Sequence, residues 1–318
     1  MERHAIRNGI YPTMITPYTP DGTIDEEGVR ELTRWYVHHG CTGIFASCQS
    51  SEIFYLTQKE RVRLVQLVKE EAEMIARESG RDPVTVVASG HVSDDRDAQL
   101  EELNAVWEAG ADAVVLISNR LDIEARSEAA WAGDLESLIS RLPEGMRLGI
   151  YECPYPYKRL LSKEMLQAVA DTGRFYFFKD TCCSPERLKE RIAQLKGSRL
   201  KLFNANAQTL LYSLQCGGYG YSGVMVNFQP KAYVWMYDNY RQKRRKAEQL
   251  QALLSMSAFS ESLAYPVTAK YYLHTYEHLG ITHLSRSRDP DCFGSYDRIA
   301  MAQIKCLNDG MDQWLAQE

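Results

Sequence analysis

Lys179 closes a short apolar run, Phe175-Tyr176-Phe177-Phe178-Lys179, and Asp180-Thr181 follow at once. The run reads as a buried β-strand whose terminal lysine carries its amine to the strand's C-terminal mouth. One candidate strand earlier, Leu148-Gly149-Ile150 ends in Tyr151. An amine and a phenol at matching ends of consecutive strands suit imine chemistry, with a nucleophilic lysine and a proton shuttle beside it. Such a lysine must be neutral to attack a carbonyl. Burial at the end of an aromatic strand disfavours the ammonium and lowers its pKa from about 10.4. A third group, Cys48-Gln49-Ser50-Ser51-Glu52, offers hydroxyls, an amide and backbone N–H groups behind small side chains, a pattern suited to a carboxylate. Each feature has a plainer reading taken alone: a solvated strand-end lysine, a packed tyrosine, a turn. The pairing of Lys179 with Tyr151 favours the chemical one.

Short apolar runs alternate with amphipathic segments and supply the elements that position these groups. Eight strands are predicted, at 9–15, 42–47, 84–89, 113–118, 147–151, 175–179, 200–204 and 220–225. Helical periodicity falls between them at 25–39, 57–78, 94–109, 124–141, 162–171, 185–196 and 207–216. Thr57 and Glu60 form a capping-box pattern, and Pro185 stands where a first-turn proline belongs. Eight strand-then-helix units predict an α/β fold, a (β/α)8 TIM barrel, in preference to an open doubly wound sheet. An open sheet commonly carries a Gly-rich phosphate turn after its first strand. Here that place holds Thr13-Met14-Ile15-Thr16-Pro17, and no GxGxxG or Walker pattern occurs. After about residue 230 the strands stop, and 230–256, 259–279 and 295–315 read as a C-terminal three-helix appendage. The division expected is a barrel over 1–235 carrying the active site and a helical region over 236–318.

Catalytic groups of such barrels sit at C-terminal strand ends. Those ends bring together the 48–52 run, Asn119 and Arg120, Tyr151, Lys179, Asn204 and Asn206, and the last strand's Tyr221-Ser222-Gly223. Ser50 and Ser51, with Gln49, are the candidate carboxylate ligands. The backbone around Ser222 and Gly223 would line the floor.

Bulk properties narrow the classes. The chain has 318 residues, 45% hydrophobic and 25% charged, with net charge −5. That acidity argues against nucleic-acid binding driven by bulk charge. No apolar signal core begins the chain and no uninterrupted apolar stretch suits a membrane span. Eight cysteines scattered through a long chain fit reduced thiols in the cytoplasm. His274 and His278 stand four apart with His283 beyond, but no third ligand is evident, so no metal is expected. Arg241-Gln242-Lys243-Arg244-Arg245-Lys246 reads as a solvated basic helix face, Cys182-Cys183 as packing, and the aromatic-rich 233–240 and 265–276 as packing of the helical tail.

Taken together, these residues resemble the dihydrodipicolinate synthase / N-acetylneuraminate lyase family of class I aldolases. The resemblance rests on Phe178-Lys179-Asp180, on the Tyr-x-x-Pro motif in Tyr151-Glu152-Cys153-Pro154, and on Thr16-Pro17 after the first strand. Gly217-Gly218-Tyr219-Gly220 before the last strand and Asn227 after it complete the match. It implies a 2-oxo acid, pyruvate foremost, held as an imine on Lys179. Tyr151 would move protons, an aldehyde or sugar-acid would be the second substrate, and neither metal nor cofactor would be needed. It also implies a homotetramer or homodimer. Departures are clear. The family's Gly-Thr-Thr-Gly-Glu loop stands here as Cys48-Gln49-Ser50-Ser51-Glu52. Asn119-Arg120-Leu121 replaces a tyrosine pair after the fourth strand, and Pro156 replaces an arginine after Tyr-x-x-Pro. The same imine would serve a sugar-acid dehydratase or hydratase-aldolase, and a non-catalytic barrel binding a 2-oxo acid is the alternative outside catalysis. A metal-dependent barrel hydrolase is disfavoured by the lack of clustered strand-end His and Asp.

Overall fold

A computed structural model describes residues 3–317. Eight parallel strands form one sheet: β1 (Gly9–Ile10), β2 (Gly43–Ser47), β3 (Thr85–Ala88), β4 (Ala113–Ile117), β5 (Leu148–Tyr151), β6 (Phe175–Asp180), β7 (Lys201–Asn204) and β8 (Gly220–Tyr221). From β2 to β8 each pairs with the next in sequence, and β1 pairs with β8. The remaining seam, between β1 and β2, is closed by Thr42 N–H donating to the Ile10 carbonyl at 3.1 Å, Phe45 N–H to Pro12 at 3.0 Å and Met14 N–H to Phe45 at 3.0 Å. The barrel predicted from the alternation is therefore present.

Helices α1 (Glu26–His38), α2 (Gln58–Ser79), α3 (Arg96–Glu108), α4 (Glu128–Ser140), α5 (Lys163–Asp171), α6 (Pro185–Gln194), α7 (Leu210–Cys216) and α8 (Pro230–Asn239) follow the strands in turn. The first six begin on side-chain caps: Asp25, Thr57, Asp95, Ser127, Ser162 and Ser184 each accept from an N–H of the first turn. The Thr57–Glu60 capping box and first-turn Pro185 are as expected. Strand alternation sorts the core into two layers. Tyr11, Phe45, Val87, Val115, Phe177 and Phe203 fill the barrel interior. Phe178, Leu202, Ile150 and Leu116 face out against the helices.

Several extents differ from the sequence reading. The strands expected at 9–15 and 220–225 pair for only two residues each. Pro12 has no N–H to give a ladder, and Val224–Asn227 winds into a 3-10 turn. The helix expected over 230–256 is broken. α8 packs on the barrel, and α9 (Arg244–Ser257) starts anew after a turn at 240–243. The basic run 241–246 thus straddles a turn and a helix start instead of lying on one helix face. Like charges a turn apart disfavour a continuous helix there. The segment 259–279 contracts to a 3-10 turn (Ala258–Ser262) and α10 (Val267–Tyr276), and α11 (Ser295–Ala316) ends the fold. Among the described residues no helix is long and apolar enough to cross a membrane.

Barrel closure depends on Gly220. A Cβ there would sit 1.9 Å from the Gly9 carbonyl oxygen, a backbone atom that cannot swing aside. Gly133, inside α4, has open space around its Cβ position. Gly220→Ala is expected to destabilise by about 3 kcal/mol or more as overpacking. Gly133→Ala should stabilise by roughly 0.5–1 kcal/mol. Urea unfolding followed by circular dichroism reads both.

Candidate active site

Tyr151 and Lys179 are register partners at the C-terminal ends of β5 and β6. Both side chains turn into the barrel and are buried, 3% and 4% exposed. The Lys179 Nζ lies over the Tyr151 ring, 4.4 Å from its centroid, and 5.7 Å from that of Phe45. Alternation sends the next residues, Glu152 and Asp180, to the outer face, where Arg191 of α6 grips both. Arg191 pairs with Glu152 at 2.7 Å, with Asp180, and with the Leu161 carbonyl at 2.5 Å. Glu152 also accepts from the N–H of Leu161 at 2.7 Å and of Thr181 at 3.0 Å. These buried bonds tie the two strand ends together directly behind the site. Burial lowers the Lys179 pKa and pushes the Tyr151 phenol well above its ordinary value. The amine is thereby shifted toward its nucleophilic form, and the phenol stays protonated.

Lys179 and Tyr151 open into a cavity of about 460 Å³ that Gln49, Ser50 and Gly223 also line. Gln49 and Ser50 belong to a 3-10 turn directly after β2. The Gln49 Oε1 is 3.4 Å from the Tyr151 hydroxyl. Ser50 Oγ donates to Thr13 Oγ1 at 3.1 Å. Ser51 lies behind this surface. Its Oγ is 2.7 Å from the Met14 carbonyl and 2.9 Å from that of Ala46, and accepts from Cys48 N–H at 3.1 Å. These bonds pin the turn to the barrel and leave the Ser51 hydroxyl facing inward. Ser222 is fully buried and also outside the lining. Gly223 is there because a Cβ would strike the Tyr221 ring at 2.2 Å.

The sequence reading missed the cavity's far wall, which comes from the C-terminal segments. Glu261, in the 3-10 turn after α9, and Tyr265, just before α10, both line the cavity. Tyr265 packs against the core as expected, and its hydroxyl is also 3.2 Å from the Asn227 Nδ2. Asn227 in turn accepts from Tyr36 at 2.5 Å and donates to the Thr13 carbonyl at 3.0 Å. Glu52 fastens this wall. It sits in the left-handed region at φ 60° and accepts from Lys270 Nζ at 2.8 Å, Ser285 Oγ at 2.6 Å and the N–H groups of Arg286 and Ser287 at 2.7 and 2.8 Å. Burial would raise the Glu52 carboxyl, but Lys270 and the surrounding donors hold it below its ordinary value. No spacing signal marks a lone Glu or Tyr in a tail.

Among the described residues no cluster of three or more His, Cys, Asp or Glu could hold a metal. His274 Nδ1 instead faces the Leu279 carbonyl at 3.2 Å. All eight cysteines are free, and Cys183 lines the cavity.

Removing Arg191 leaves two buried carboxylates unpaired. Arg191→Met is expected to cost about 3–5 kcal/mol. Arg191→Lys should recover only part of it, because an ammonium cannot reproduce the bidentate fork. Chemical denaturation of the three proteins checks this.

The chain's kinships agree with this geometry. The model of the dihydrodipicolinate synthetase family matches residues 7–118. The 4-hydroxy-tetrahydrodipicolinate synthase of Nitrosococcus oceani is 27% identical over 240 residues, 76% of this chain and 77% of that protein. The wild-type sialic acid aldolase of Ruminococcus gnavus superposes with a TM-score of 0.83 at 18% identity, covering 97% of this chain and 99% of that one. The chloride-inhibited dihydrodipicolinate synthase of Acinetobacter baumannii, solved with pyruvate, gives 0.82 at 18% identity, covering 96% and 99%. The two solved structures share the fold, and in sequence the chain is similar to the dihydrodipicolinate synthetase family over residues 7–118.

Proposed function

We propose that the protein is a class I lyase that forms or cleaves a carbon–carbon bond next to a 2-oxo acid, pyruvate foremost, through an imine on Lys179. The observation that carries this is the buried Lys179 amine lying over the Tyr151 ring at the floor of the cavity. Kinship to curated synthases and the likeness to a sialic acid aldolase support a lyase of the aldolase/synthase type.

The neutral amine adds to the 2-oxo carbon. The carbinolamine then loses its hydroxyl as water, taking a proton from Tyr151, and the phenolate left behind regains a proton from water because burial disfavours its charged form. The iminium is the electron sink for the bond beside it. The substrate carboxylate would rest on the turn after β2, where Ser50 presents a hydroxyl. Gln49 and Ser50, leading that turn, have no earlier acceptor within it for their N–H groups. Gln49 holds the Tyr151 hydroxyl and Gly223 leaves room beneath. Ser51 would act through the turn it pins, and Ser222 through the backbone it shares with Gly223. The partner would be an aldehyde or sugar-acid. Free cysteines fit a cytoplasmic setting. Exposed Met256, Phe259, Tyr296 and Ile299 offer apolar surface for a homodimer or homotetramer contact.

Incubation with pyruvate, borohydride reduction and peptide mapping is the test. The expected result is a pyruvate-sized adduct on Lys179, absent in Lys179→Ala. Tyr151→Phe should keep the fold and slow adduct formation by about 10²–10⁴-fold, the usual scale for lost proton transfer. Unchanged trapping in Lys179→Ala would contradict the scheme.

A further inference from the structure

The imine scheme leaves one proton without an acceptor. Once a 2-oxo acid is joined to Lys179, the adjacent carbon must lose a proton to give the enamine. Tyr151 is a poor base for it, since burial holds the phenol in its protonated form. Glu52 is committed to Lys270, Ser285 and two backbone N–H groups. No histidine lines the cavity.

Glu261 is differently placed. It lines the same cavity, yet its Oε1 is buried without a hydrogen-bond partner among the described residues. It sits close enough to Lys179 for each to feel the other's charge. The two groups flanking Lys179 also enter from different sides. Tyr151 comes from β5, next to β6. Glu261 comes from the 3-10 turn that packs on the turn after β8, where Ser260 Oγ lies 3.7 Å from Met225 Sδ.

We infer that Glu261 is the base that removes the proton from the carbon next to the imine carbon of a 2-oxo acid held on Lys179. This rests on the imine proposed above. The carboxylate oxygen takes the proton. The C–H electron pair becomes the C=C bond of the enamine, and the C=N pair returns to the Lys179 nitrogen as a lone pair. The reverse step returns the proton to carbon, so Glu261 ends as it began and no other reactant is consumed.

The surroundings suit this role. Lys179 of β6 is the charged group that acts on Glu261, and Cys183 after it, Tyr221 of β8, Tyr233 of α8 and Tyr265 lie near enough to be raised by the Glu261 charge. Only Lys179 among them favours the carboxylate. Burial outweighs it and raises the Glu261 pKa to about 7. A base with a pKa near the working pH transfers protons efficiently in both directions.

The test uses the full-length protein with pyruvate in D2O, following loss of the methyl proton signal by NMR, alongside borohydride trapping. Glu261→Gln keeps the shape of the side chain and removes the base. The expected result is a pyruvate adduct still trapped on Lys179 in Glu261→Gln, with methyl exchange slowed by about 10²–10⁴-fold. Partial recovery of exchange in Glu261→Asp would support the assignment. Exchange unchanged in Glu261→Gln, or a wild-type protein that traps pyruvate without exchanging its methyl protons, overturns the role of Glu261 and spares the imine. A wild-type protein that traps no 2-oxo acid overturns both.

Discussion

The site depends on one buried ionic clamp. Arg191 holds Glu152 and Asp180, and these are the residues that immediately follow Tyr151 and Lys179. Alternation along a strand makes this arrangement consequential: the residue that faces outward fixes the residue that faces inward. The three charges are 4% exposed or less, so each carboxylate needs the guanidinium and the guanidinium needs both. Desolvation and the Asp180 charge push the Glu152 carboxyl up, while Arg191 works against them. A clamp of this kind contributes little net stability compared with a well-packed apolar cluster. What it supplies is registration of two strand ends, with the amine and phenol at fixed separation.

Dehydration sets the chemistry inside. The same burial moves the lysine down, the phenol up and the Glu261 carboxyl up. Each shift favours the neutral form. In the proposed imine scheme the neutral amine would attack and the phenol would donate, while a carboxyl that titrates near neutrality would still supply the carboxylate that takes a proton. The barrel supplies two of these groups and the C-terminal segments the third. Glu52 and Lys270 keep those segments seated, joining the turn after β2 to α10 across the cavity mouth. The helical tail is thus part of the cavity wall.

Local signals were legible in the sequence. The apolar runs located all eight strands because fully buried parallel strands need continuous apolar stretches. Thr57 with Glu60 and Pro185 marked helix starts by local capping chemistry. Lys179 and Tyr151 could be placed at one mouth because both end strands of the same barrel. The misses share a physical cause, since their outcome is decided by distant contacts. β8 is short because its chain must turn tightly at Gly223 under Tyr221. Ser51 resembles Ser50 in sequence, but its hydroxyl is taken by the Met14 and Ala46 carbonyls. Glu261 and Tyr265 reach the cavity from a segment more than eighty residues beyond Lys179, and no periodicity encodes that approach.

The central claim is that burial makes Lys179 a neutral nucleophile. Its most direct test is a pH titration of the Lys179 side chain by NMR, with lysine labelled at Cε and the resonance assigned by its loss in Lys179→Ala. The account predicts an amine that titrates clearly below the ordinary lysine value of about 10.4. A Lys179 resonance that titrates at or above that value would show a charged, solvated strand-end lysine and would contradict it.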